Sequence, residues 1–117
     1  MELEDRIVGF SARCVKVCAA LPVKVVGSTS FADQLFRSST SIAANYAEAC
    51  EAESAKDFIH KLKIAMKELS ETRIWLRLIG ESGYLDKAKL ADLVNESKEL
   101  SRILSASVAT TKKKLRS

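Results

Sequence analysis

The chain has 117 residues, 47% hydrophobic and 29% charged: enough apolar material for the core of one domain, and too much for a disordered chain. Four Gly and one Pro supply too little turn chemistry for a sandwich or barrel of many short strands, and one His with three Cys leaves little material for catalysis. The net charge is +4, and its excess sits at Lys112, Lys113, Lys114 and Arg116, the rest of the chain being balanced.

The first helix is marked by Leu3, Ile7, Phe10, Cys14, Val17 and Leu21, which recur at spacings of four and three and so share one face. Pro22 ends it by pushing Leu21 out of the α region. Val23 to Thr29 reads as a connection. The second helix is expected to start near Ser30, with Asp33 completing a variant capping box. Phe31, Leu35, Ser38, Ile42, Tyr46 and Ala49 form its inner face, where small residues let helix axes approach closely.

The third helix starts at Ser54, with Asp57 as its capping partner. It carries Phe58, Leu62, Ala65, Leu69, Thr72, Leu76 and Ile79 in a 3.5-residue repeat, the seam of a bundle. Gly80 and Gly83 are natural stops. Asp86 caps the fourth helix, whose inner face is Leu90, Leu93, Ser97, Leu100, Leu104, Ser107 or Val108, and Thr111. Short connections between long helices predict an all-α, antiparallel up-down-up-down four-helix bundle over residues 1–111, fraying into a basic C-terminal tail at 112–117. The acidic start, Glu2-Leu3-Glu4-Asp5, lacks the basic and apolar pattern of a signal peptide, and no stretch reaches the ~20 apolar residues of a membrane span. The expectation is a cytoplasmic protein with reduced thiols and no membrane partner.

Two features depart from a plain bundle. Gln34, Arg37, Ser41, Asn45 and Glu48 form a second stripe on helix two. It is either a solvated side or, with Glu68 and Glu71 of helix three, a partly buried network in which Arg37 meets Glu71 and fixes register. Ile59, Ile64, Met66, Ile74, Trp75 and Leu78 lie off the seam of helix three. They either widen the core or form a subunit interface, and a helix apolar on more than one side favours self-association.

Site chemistry is sparse. Cys14 and Cys18 lie one turn apart, but Cys50 belongs about 20 Å away along the bundle, which opposes a zinc site with His60. Asp57 and His60 have the spacing of a di-iron ligand pair, yet such sites need two of them. No catalytic, cofactor or metal residue is assigned, and an enzyme is not expected. Lys56, Lys63, Lys67, Arg73 and Arg77 gather on helix three, and Lys112, Lys113 and Lys114 in the tail. These cations are either a solvated charged surface or a phosphate-led, salt-sensitive contact with nucleic acid.

The pattern Gln34-x-x-Arg37-x-x-x-Ser41-Ile42-x-x-Asn45-x-Ala47-Glu48, followed by Ser54-x-x-Asp57-Phe58-Ile59-His60-Lys61-Leu62, resembles the four-helix-bundle family of ribosomal RNA intervening-sequence proteins. The run Met66 to Ile79 is similar to one branch of it; Ala49 and Lys67-Glu68 differ from many members. The resemblance implies a homopentamer of antiparallel four-helix bundles and supplies no catalytic residues. A related branch, the accessory proteins of diversity-generating retroelements, engages nucleic acid and a reverse transcriptase. The expected function is therefore a non-catalytic oligomer that binds structured RNA or DNA. The alternative is a protein-interaction scaffold with no nucleic-acid binding.

Overall fold

The computed structural model describes residues 2–117 and contains, among them, four helices and no strand. They are α1 (Leu3–Ala20), α2 (Ser28–Cys50), α3 (Ala55–Glu81) and α4 (Lys87–Arg116). Each packs against the next, and α4 returns to α1 along a much slighter contact. The result is an up-down-up-down four-helix bundle, 55 Å long and 22 Å across.

The periodic faces meet in one core. Ile7, Cys14, Leu35, Ile42, Leu62, Leu69, Leu76, Leu100 and Leu104 are completely buried. Small polar residues lie buried between the helices. Thr72 Oγ1 donates to Ser38 Oγ at 2.8 Å, and both residues are fully buried. Ser11 on α1 donates to the Ser39 carbonyl at 2.7 Å, tying α1 to α2. Each hydroxyl so paired avoids the cost of an orphaned buried polar group.

The connections are short and chemically specified. Leu21 is the extended C-cap of α1, as the following proline requires. Ser54 and Asp86 cap α3 and α4 through their side chains, accepting from the Asp57 and Ala88 amides at 3.0 Å each. Gly83, at φ 77°, closes α3: the Gly83 amide donates to Gly80 and the Tyr84 amide to Ile79, the paired bonds of a Schellman motif. The Tyr84 hydroxyl then donates to the Val26 carbonyl, joining the two loops at this end of the bundle. A side chain at Gly27 would strike that hydroxyl at 2.9 Å, and Gly27 itself sits at φ 89°.

Three expectations are corrected. First, α2 starts at Ser28, two residues early, and the Ser30–Asp33 capping box is not made. The left-handed Gly27 turns the chain directly into the helix, its carbonyl accepting from the Phe31 amide at 2.9 Å. Second, α4 does not fray at Thr111 but runs to Arg116, so Lys112, Lys113 and Lys114 are helical. Lysine and arginine are good helix formers, and their charge complements the C-terminal end of the helix dipole. Third, Ile59 is buried at 9% exposure and belongs to the core. Ile64, Met66 and Trp75 are half-buried, whereas Ile74 and Leu78 remain exposed.

Candidate nucleic-acid interface

α3 divides its charged residues between two seams. Lys61, Glu68 and Glu71 recur at spacings of seven and three, so they share the side that faces α2. There the polar stripe of α2 meets them. Arg37 donates to Glu68 at 3.2 Å and also to Glu71, and Gln34 Oε1 accepts from Arg37 at 3.5 Å. Trp75 Nε1 donates to the same Glu71 carboxylate at 3.4 Å. Lys61 pairs with Glu48 at 3.1 Å, and Asn45 Nδ2 donates to the Ser41 carbonyl at 2.9 Å.

The network expected from the second stripe is therefore present, but it is not interior. The Arg37 side chain is half exposed, so its ion pairs are worth about 0–1 kcal/mol each and set register more than stability. The adjoining Glu71 carboxylate, then Glu68, holds the Arg37 guanidinium above its ordinary pKa. On this seam both cations, Arg37 and Lys61, have carboxylate partners.

The seam between α3 and α4 is different. Arg73 reaches into it, donating through Nε to Ser97 Oγ at 2.8 Å and through a terminal nitrogen to Ser101 Oγ at 2.9 Å. Burial, and then the neighbouring Arg102 and Arg77, push its pKa down. Further along, Lys112 lies beside Lys63, which with Arg116 lowers the Lys112 pKa. Lys63, Met66, Lys67 and Ser70 line an open groove of about 390 Å³ on the outer side of α3. Arg77 lines a smaller one, of about 180 Å³, together with Leu90, Val94 and Asn95 of α4.

Two acids of α4 are turned away from this surface. Glu96 and Glu99 face α1, where both pair with Arg6. Glu81 lines the same groove as Arg77 but pairs with Lys87 at 2.5 Å. Among the described residues, no carboxylate lies within ion-pair distance of Lys56, Lys63, Lys67, Arg77, Lys98, Arg102, Lys112 or Arg116. All eight are exposed. A chain balanced in its body thus carries a strip of uncompensated cations.

The sequence-derived candidates fall into three groups. Lys56, Lys63, Lys67, Arg77 and Lys112 stand on or beside the strip. Arg73 is at its centre but half-buried and spent on two serines, so it positions α4 and is poorly placed to take a phosphate. Lys113 and Lys114 are helical and step around α4, away from the side that carries Lys112. Lys98 and Arg102 were not legible as candidates. Their signal was the i, i+4 spacing beside Ser97 and Ser101, which has meaning only once Arg73 shows which side of α4 meets α3.

The cysteines are free thiols and lie apart in role. Cys14 is a core residue whose thiol is pushed up to about 12 by burial, and Cys18 donates to the Ala32 carbonyl at 3.4 Å. Cys50 is exposed. No group of three or more His, Cys, Asp or Glu residues gathers in metal-binding geometry among the described residues. Because the thiolate is the nucleophile, iodoacetamide at pH 8 is expected to label Cys50 first and Cys14 only on unfolding, as read by peptide mass spectrometry. The unfolded Cys14 thiol ionises near 9.0 while the folded one stays protonated to about 12, so its contribution to stability falls as pH rises through that window.

The fold places the chain among small all-α four-helix bundles. Within that class, the chain belongs to the 23S rRNA-intervening sequence protein family, whose model matches residues 3–106. Among solved structures it is similar to a protein of unknown function from the S23 ribosomal protein family of Bacteroides thetaiotaomicron. The two chains are 34% identical over 92% of this chain and 98% of that one, with a TM-score of 0.82. A search of curated protein sequences returns no match. No helix is long and apolar enough to cross a membrane among the described residues.

Proposed function

We propose that this protein is a non-catalytic, self-associating cytoplasmic module that binds structured RNA or DNA through phosphate contacts along the α3–α4 seam. The observation that carries this reading is the segregation of charge: eight exposed cations around one seam, none paired with a carboxylate among the described residues. Surface lysines are ordinarily interleaved with acids; a strip of cations without carboxylate partners attracts a polyanion and releases its counterions. The strip lacks exposed aromatic rings on which bases stack, so recognition should follow backbone shape more than sequence.

The test is a fluorescence-anisotropy titration of the full chain with a structured RNA and a duplex DNA, at low and physiological salt. Affinity that falls steeply with salt supports the reading. No binding to either at low salt sinks it and leaves a protein-interaction scaffold. That second reading is favoured by a different observation, the outer surface of α3, where Ile74 and Leu78 are 48% and 42% exposed.

The same surface supports self-association, and the family resemblance suggests a pentameric ring, in which every protomer would repeat the cationic seam. Ile74→Asp with Leu78→Asp should leave the bundle folded, because both side chains already face solvent, and should lower the mass measured by multi-angle light scattering. An unchanged multimeric mass would move the interface elsewhere, and a monomeric parent chain would remove it.

A further inference from the structure

The opposite edge of α4, where it meets α1, holds a second kind of site. Arg6 clasps Glu96 at 2.8 Å and Glu99 at 2.7 Å, and these are the described ion pairs between the two helices. Beyond the clasp, toward the C-terminal end of α1, the seam opens into a crevice of about 390 Å³. Its floor is apolar, formed by half-buried Val17 and Leu85 and by buried Leu93. Its rim carries Arg13, Lys16 and Lys89, none within ion-pair distance of a carboxylate among the described residues. The one acid in the lining, Asp86, accepts from the Ala88 amide at 3.0 Å as the cap of α4.

An apolar floor beneath a ring of unpaired cations is a specific demand. Small-ligand sites of a few hundred Å³ between bundle helices are mostly apolar, with a few placed polar groups that orient the ligand. Water satisfies the cations here but not the floor. A nucleic-acid backbone satisfies the cations but brings no apolar body. The geometry points to a small amphiphilic anion, a medium-chain carboxylate in class, whose chain lies on Val17, Leu85 and Leu93 and whose head is held by Arg13, Lys16 and Lys89. The site is separate from the α3–α4 seam, so neither assignment depends on the other.

Decanoate is the probe, titrated into the full chain and followed by amide chemical shifts, beside decyltrimethylammonium, which has a similar chain and the opposite charge. Decanoate is expected to give saturable shifts centred on Val17, Leu85, Lys89 and Leu93. Lys16→Glu with Lys89→Glu, both at exposed positions, should weaken it at least about tenfold, since charge-assisted contacts carry the head group. Lys63→Glu, on the other seam, should leave the affinity unchanged. The proposal is overturned if shifts fail to saturate below the aggregation concentration of decanoate, or if the cationic amphiphile binds equally well. Full affinity in the double variant would also overturn it. So would crevice resonances that move with protein concentration alone, which would assign the groove to a second copy of the chain.

Discussion

A chain carrying Lys63→Glu, Lys67→Glu and Lys112→Glu is expected to lose nucleic-acid affinity by about two to three orders of magnitude at physiological salt, and part of its salt dependence with it. The three positions cluster physically: Lys63 and Lys67 line one groove, and Lys112 lies beside Lys63. Each phosphate contact contributes about 0.9 to the slope of log affinity against log salt, so three lost contacts should flatten it by between two and three. The substitutions sit at exposed positions without ion-pair partners, so thermal stability should be nearly unchanged.

Two controls give that experiment its discrimination. Arg73→Ala should destabilise the fold by withdrawing the half-buried guanidinium from Ser97 and Ser101, while leaving the salt slope close to that of the parent. A chain ending at Thr111 removes Lys112 but keeps Lys63, Lys67 and Arg77, so it should retain weakened, still salt-sensitive binding. Binding abolished by that truncation alone would place the contact on the helical end of α4 and not on the seam. A slope equal to the parent's in the triple variant would reject the seam as the site.

The seam also marks where one-dimensional information ran out. Burial was legible because a 3.5-residue apolar rhythm can be satisfied only by a bundle: Leu62, Ala65, Leu69, Thr72, Leu76 and Ile79 are all buried. The Arg37–Glu71 contact was legible because two polar stripes on consecutive antiparallel helices had few other partners. The absence of carboxylate partners was not legible, because net charge adds Glu68 and Lys67 together although they point to different sides of α3. The helical end of α4 was missed for a related reason: loss of the apolar seam was read as loss of helix, whereas α4 needs no inner face to continue through residues of high intrinsic propensity. The start of α2 turned on Gly27, whose left-handed backbone is a local event with no periodic signature.

Ser38→Leu is expected to destabilise the bundle about as much as Leu69→Ala, although one fills space and the other empties it. Both positions are fully buried. Leu69→Ala leaves a cavity at the centre of α3 and should cost about 2–5 kcal/mol. Ser38→Leu forces new side-chain volume between α2 and α3, for which overpacking alone costs about 1–3 kcal/mol. It also takes away the acceptor of Thr72 Oγ1, and a buried hydroxyl without a partner adds about 1–3 kcal/mol. Urea denaturation at fixed protein concentration would measure both, because self-association makes the midpoint depend on concentration. Ser38→Ala separates the two terms: it removes the same acceptor without adding volume, and should cost only the hydroxyl's share, about 1–3 kcal/mol. If Ser38→Ala proved as damaging as Ser38→Leu, the hydrogen bond to Thr72 would be what holds α2 against α3. If Ser38→Leu proved harmless, the helices would have room to part, and close approach through small residues would not be what brings Arg37 to Glu68 and Glu71 on the outer edge of the same seam.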